Sequence, residues 1–160
     1  MLKPSKLASE KAVVAAEAPQ PSASDAPADV SNDDTREAPS EAERAAWLER
    51  DVVAVKEAFD TYTQRVASPD ARRAVFIASH NLRGTATPLG NPVLERLAGS
   101  LCTLLEKTSA DEPVVALANL HVEAMRAALV AGPGAASDEL AQSVCVALED
   151  QVKSKTADSV

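Results

Sequence analysis

An all-α fold is predicted: an antiparallel, up-down-up-down four-helix bundle with one additional helix and a disordered N-terminal tail. Three observations predict it. From Ser40 onward, apolar residues recur at alternating intervals of four and three, the repeat of a helix with one buried face. Alanine, valine and leucine carry the apolar content, and the aromatic residues are only Trp47, Phe59, Tyr62 and Phe76. That composition suits helices packed through small side chains better than a β-sandwich. Proline and glycine then cut the chain into helix-length segments with short connections, which favours antiparallel neighbours.

Residues 1–39 stand apart by composition. They hold five of the ten prolines, no aromatic residue, and runs such as "APQPSASDAPADVSNDD". Such a segment buries too little apolar surface to offset the entropy lost on ordering, so a disordered tail is expected, with room for a short helix through "SEKAVVAAEA".

The ordered domain is expected over residues 40–153. Ser40 followed by Glu43 is a capping-box pattern, and Leu48, Val52, Val55, Phe59, Tyr62 and Val66 then mark a first helix of about 26 residues ending near Pro69. The second helix starts at Pro69-Asp70 and buries Val75, Ser79, Leu82, Ala86 and Leu89. Pro88 should kink or end it, because proline lacks the backbone donor and its ring crowds the preceding turn. Asn91-Pro92 caps a third helix lined by Leu94, Leu97, Leu101 and Leu104 or Leu105. Asp111-Glu112-Pro113 is expected to start the fourth, with the stripe Val115, Ala118, Val122, Met125 and Leu129, and Gly132-Pro133-Gly134 to end it. Ser137 is the expected cap of a fifth helix burying Leu140, Val144, Ala147 or Leu148, and Val152, before residues 154–160 fray.

Charge narrows the function. Lys and Arg total 16 against 24 Asp and Glu, a formal net charge of 16 − 24 = −8, which disfavours nucleic acid as a partner and points to a protein or a small cation. No apolar run approaches a membrane span, and "AVVAA" is too short for the core of a signal peptide, so a cytoplasmic protein without a membrane partner is expected. Cys102 and Cys145 lie in apolar helical contexts with no C-x-x-C spacing, which reads as reduced structural cysteines. His121, at the flank of an apolar stripe, reads as a boundary packing residue. A metal site from His80, His121, Cys102 and Cys145 would need four helices to converge and is not expected.

The stretch "SHNLRGTATPLG", Ser79 to Gly90, carries the functional signal. With about 100° per helical residue, His80 falls roughly 140° from the buried seam of its helix and faces water. Arg73, Phe76, Arg83, Gly84 and Thr87 fall on the same outward sector. A neutral imidazole is a good nucleophile near neutral pH, and an arginine one turn ahead offers fixed positive charge to phosphoryl oxygens. A mid-helix glycine is less stable than alanine by about 1 kcal/mol, so Gly84 asks for a reason. Clearance is one: at i+4 from His80, any side chain would obstruct an incoming protein.

His80-x-Leu82-Arg83-Gly84-Thr85-Ala86-x-x-Leu89-Gly90 resembles the signature of histidine-containing phosphotransfer (HPt) domains: histidine, any residue, an apolar residue, lysine or arginine, glycine, small residues, then an apolar residue and glycine. The match spans about a dozen residues. The resemblance implies a four-helix bundle whose exposed histidine is phosphorylated on a ring nitrogen and exchanges the group with an aspartate of a response-regulator receiver domain. By position, His80 is the phospho-acceptor, Arg83 takes the place usually held by lysine and stabilises phosphate charge, and Gly84 gives clearance. Leu82, Ala86, Leu89 and Gly90 complete the structural motif, Gly90 ending the helix; Arg73, Phe76 and Thr87 are candidate docking contacts. Arginine in place of lysine and Pro88 within the motif are departures from the pattern.

The function expected is that of a stand-alone, monomeric phosphorelay intermediate serving receiver domains and a hybrid histidine kinase. No cofactor of its own is implied, Mg²⁺ coming with the receiver, and no G-x-x-x-x-G-K-[ST] loop for ATP is present. The rival is a helical adaptor that binds a receiver or kinase without being phosphorylated. A histidine-kinase dimerisation hairpin fits less well, since Asn81 follows His80 where such units carry an acidic residue.

Overall fold

The computed structural model describes residues 38–112 and 114–158; the expected tail lies outside them, except for Ala38 and Pro39. The described residues form five α-helices and one short 3₁₀ helix, with no strand among them. The helices are α1 (Glu41–Gln64), α2 (Pro69–Ala86), α3 (Pro92–Lys107), α4 (Val115–Ala131) and α5 (Glu139–Ala157); the 3₁₀ helix covers Gly132–Ser137.

The caps follow sequence chemistry closely. Ser40 Oγ accepts the Glu43 N–H at 3.2 Å, and the Glu43 carboxylate accepts the Ser40 N–H at 2.8 Å, so two orphan donors of α1 are satisfied at once. The Ser40 hydroxyl also donates to the Glu43 carboxylate at 2.7 Å, and this bond, followed by that from the Ser40 N–H, holds the Glu43 carboxyl below its usual range. Ser68 caps α2 with Pro69 following, and Asn91 Oδ1 accepts the Leu94 N–H at 3.1 Å to start α3.

Successive helices pack on one another, α1 also packs on α4, and α5 lies against α3 and α4. The buried residues on α1 are Leu48, Val52, Val55, Phe59 and Tyr62; α2 adds Val75, Leu82 and Ala86. On α3, Val93, Leu94, Leu97, Leu101, Leu104 and Leu105 are all buried, which gives α3 the broadest apolar face among the described helices.

Three expectations are corrected. Helix α4 begins at Val115 with no side-chain cap, not at Asp111-Glu112. The Asp111 N–H bonds Ser109 Oγ and the Glu112 N–H bonds the Ser109 carbonyl, a turn that competes with helix at these residues. Helix α5 is capped by Asp138, one residue later than expected, and continues through Ala157 instead of fraying from residue 154. Its buried stripe is Cys145, Leu148 and Val152, while Leu140 is 71% exposed and Val144 is also exposed. A polar clamp sets this rotation: Arg96 of α3 binds Glu149 through two N–H···O bonds of 2.9 Å and Gln142 through a third of 2.6 Å, so the line Gln142–Cys145–Glu149 faces α3. The carboxylate of Glu149 raises the Arg96 guanidinium further above its already high range.

His121 is the third correction: it is fully buried rather than a boundary residue. Its Nδ1 lies 2.8 Å from the Leu117 carbonyl oxygen, which only accepts, so Nδ1 carries the proton and Nε2 accepts from the Ser100 hydroxyl at 2.9 Å. Burial lowers the pKa of this imidazole, opposed in part by the Leu117 carbonyl.

Candidate functional site

The site is built on α2, whose two faces are sharply divided. Val75, Ser79, Leu82 and Ala86 are buried, and the Ser79 hydroxyl is satisfied by donating to the Val75 carbonyl at 2.8 Å. The opposite sector carries Arg73, Ile77, His80, Asn81, Arg83, Gly84 and Thr87, all exposed. The division places His80 in water on a helix clamped by its inner face.

Phe76, one turn before His80, is half-buried against the core edge and stacks on the imidazole with ring centroids 6.1 Å apart and planes 20° apart. The aromatic contact restricts the ring to one side of the helix. Neither ring nitrogen of His80 bonds a described residue, so the lone pair of the unprotonated nitrogen is open to a reactant.

Arg83 leans from α2 onto α3. Its Cδ and Nε lie 3.6 and 3.7 Å from the point where a Cβ on Gly99 would stand. The guanidinium has no hydrogen-bond or ion-pair partner among the described residues, and it borders a cleft of about 380 Å³ shared with Glu95, Ser100 and Thr103 of α3 and Glu149 of α5. An unpartnered guanidinium is free to meet an incoming anion. Cys102 of α3 lies beneath, its Sγ 3.9 Å from the Phe76 carbonyl oxygen, and burial pushes its thiol up to about 11 despite the nearby Arg83 charge. It is therefore protonated and unreactive at neutral pH.

Gly84 has nothing within 4 Å of where a Cβ would be. No packing among the described residues requires a glycine there. Pro88, four residues on, has no N–H for the Gly84 carbonyl, and α2 ends at Ala86, followed only by the long bonds from the Thr87 and Leu89 N–H groups to the Arg83 and Thr85 carbonyls at 3.3 and 3.4 Å. The end is then closed by Gly90 at φ +70°, with the Gly90 N–H on the Thr87 carbonyl at 3.2 Å and the Asn91 N–H on the Ala86 carbonyl at 3.0 Å. This paired closure is the left-handed glycine terminus that lets the chain turn into α3. Leu89 is half-buried at the turn, and the Thr87 hydroxyl donates to the Arg83 carbonyl at 3.0 Å, so its donor is already engaged.

Comparison with family models, with curated proteins and with solved structures finds no match to this chain. The local geometry thus carries the functional argument alone. It stacks Phe76 on His80, with Arg83 and Gly84 exposed about one turn further along α2 and Arg73 exposed two turns before the histidine.

Three residues that matter were not singled out in the sequence. Ile77 is 46% exposed on the outward sector and, with Asp51 and Ala54 of α1 and Ala74, Ala78 and Asn81 of α2, lines a shallow hollow beside His80. Its i−3 spacing from His80 was the available signal. Gly99 is identifiable only once α3 is seen against α2. Arg72 is 7% exposed and donates to the carbonyls of Leu105, Thr108 and Glu112 and to Thr108 Oγ1, a contact set 33 to 40 residues away in sequence. Among the described residues no three His, Cys, Asp or Glu side chains converge as a metal site would require.

Proposed function

We propose that this chain is a histidine phosphotransfer protein of a two-component phosphorelay, accepting a phosphoryl group on His80 from a receiver-domain aspartate and passing it to another response regulator. The observation that carries the reading is Gly84. A glycine in mid-helix, one turn past an exposed histidine and with no described residue within 4 Å of where its Cβ would stand, suits the close approach of another protein.

The arrangement supports a simple chemical course. The unprotonated nitrogen of His80 attacks the phosphorus of an aspartyl phosphate; a P–N bond forms, the P–O bond to the aspartate breaks, and the carboxylate leaves while the other ring nitrogen keeps its proton. Phe76 limits the swing of the imidazole, and the Arg83 guanidinium offsets charge on the equatorial oxygens. A receiver supplies its own acidic pocket and Mg²⁺. Transfer onward reverses these steps with a second receiver, and a hybrid histidine kinase is the natural source of the first.

The contacts of α1 with α2 and α4, and of α3 with α2 and α4, support an antiparallel four-helix bundle with α5 as the additional helix, within a domain spanning residues 40–157. The docking face is read as Arg73, Phe76 and Thr87 around His80, with Ile77 added. A monomer in the cytoplasm fits this role.

The test is transfer from a panel of phosphorylated receiver domains to the full chain, beside His80→Gln and Arg83→Ala. Label is expected on the parent chain, none on His80→Gln, and a rate lowered by about tenfold in Arg83→Ala, the size of one charge-assisted contact. Binding of a receiver with no label would overturn the relay in favour of an adaptor.

A further inference from the structure

Gly99 is a glycine inside α3, away from any turn, at ordinary helical φ, and half-buried. Glycine weakens a helix interior, so its presence asks what an ordinary side chain would disturb. The answer is specific: the heavy atoms within 4 Å of a Cβ at this position are Arg83 Cδ and Arg83 Nε, at 3.6 and 3.7 Å, and no others. Apart from α3's own backbone and the residues flanking Gly99, no other heavy atom of the described residues stands within 4 Å of that point.

We infer that Gly99 is a positioning residue for the proposed phosphotransfer reaction: with no side chain longer than a methyl tolerated beneath it, position 99 is the seat over which the Arg83 side chain lies, and that seat sets where the guanidinium stands relative to His80. The inference rests on the phosphotransfer reading and adds a residue to its machinery. Three features support it. Arg83 projects from α2 over α3 and is not anchored by any hydrogen bond or ion pair among the described residues, so packing alone places it. Its stem is long and flexible, and the aliphatic part of an arginine settles on whatever apolar or backbone surface lies beneath it. His80 and Arg83 leave α2 three residues apart on neighbouring lines of the helix, so raising the stem from α3 turns the guanidinium out of reach of a group held on the imidazole. A methyl group at position 99 would sit at ordinary van der Waals distance from the stem, whereas a longer side chain would lift it.

The test uses the full chain with phosphoramidate, a small phosphoryl donor that needs no receiver. The nitrogen lone pair of His80 attacks phosphorus of the N-protonated donor; a new P–N bond forms, the P–N bond to the donor's ammonio group breaks, and ammonia leaves with the bonding pair. The initial rate is measured for the parent, Gly99→Ala, Gly99→Leu, Arg83→Ala and the double variant Gly99→Leu/Arg83→Ala, with thermal melts to confirm that each is folded and His80→Gln as the blank. Side-chain NMR follows the nuclear Overhauser contact between Gly99 Hα and Arg83 Hδ in the parent.

The expected result is that contact in the parent, a rate near that of the parent for Gly99→Ala, and a rate about tenfold lower for Gly99→Leu, the same size as for Arg83→Ala. Gly99→Leu should add nothing once Arg83 is alanine, because the two act through one group. Equal slowing by Gly99→Leu with and without Arg83, or no slowing at all in a folded protein, overturns the seat. Absence of phosphate on His80 in the parent overturns the phosphotransfer reading itself, and the seat with it.

Discussion

At the scale of single residues, the outward face of α2 combines a reactive group with positions that give up stability. Gly84 is the clearest. Replacing it with alanine touches nothing within 4 Å and should stabilise the fold by about 0.5–1 kcal/mol through helix propensity. Gly84→Gln should instead slow transfer from a receiver while leaving the melt near that of the parent. A faster reaction in Gly84→Gln would remove the clearance argument. Tyr62 is a different case, fully buried with a hydroxyl that has no hydrogen-bond partner among the described residues. Tyr62→Phe removes an unsatisfied polar atom and keeps the ring, so denaturant melts should show a stability unchanged or raised by up to about 1 kcal/mol. A loss of that size would mean the hydroxyl is bonded. The exposure of His80, Arg83 and Gly84 on α2 was legible from the sequence because helical geometry is local. Gly99, Arg72 and the buried partner of His121 were not, since each depends on which helix lies opposite.

At the scale of elements, caps and polar clamps decide where helices end and how they are rotated. The capping box at Ser40, the Asn91-Pro92 start and the Gly90 stop were readable because each is a short motif with its own hydrogen bonds. The start of α4 and the rotation of α5 were not. One is set by the Ser109 turn, the other by the Arg96–Glu149 and Arg96–Gln142 bonds, which join residues about fifty apart in sequence. Arg72 shows how much such a clamp carries. Its guanidinium donates to the carbonyls of Leu105 and Thr108 at the end of α3, where the helix dipole favours a cation, and to Glu112 beyond. Arg72→Met keeps the stem and should cost about 2–3 kcal/mol, the range for bonds to a charged donor, read from urea unfolding. A change under about 0.5 kcal/mol, the scale of an ordinary surface substitution, would contradict the clamp.

At the scale of the whole molecule, the described helices close around α3, and no helix among them is long and apolar enough to cross a membrane. The all-helical class was legible because the three-four repeat survives across every helix; the width of each buried face was not. His121 ties the stability of this assembly to pH. Burial lowers its pKa in the folded protein, so the unfolded chain binds the extra proton first as pH falls. The stabilisation is fully present above the unfolded value of about 6.5 and is lost as pH drops towards the lower folded pKa. Urea midpoints should therefore fall between pH 7.5 and pH 5 in the parent and fall less in His121→Gln. Parallel curves for the two would assign the pH dependence to the carboxylates. The proposed relay also requires a single histidine face per molecule, and light scattering should give the mass of a monomer; a dimer mass would count against that part of the proposal.

The most direct measurement of the central claim is the location and chemical type of phosphate on the full chain after incubation with a phosphorylated receiver domain. The account predicts an acid-labile, base-stable phosphoryl group at His80 that disappears in His80→Gln and reappears on a second receiver when one is added. Phosphate that survives acid, lies elsewhere in the chain, or persists in His80→Gln would contradict it.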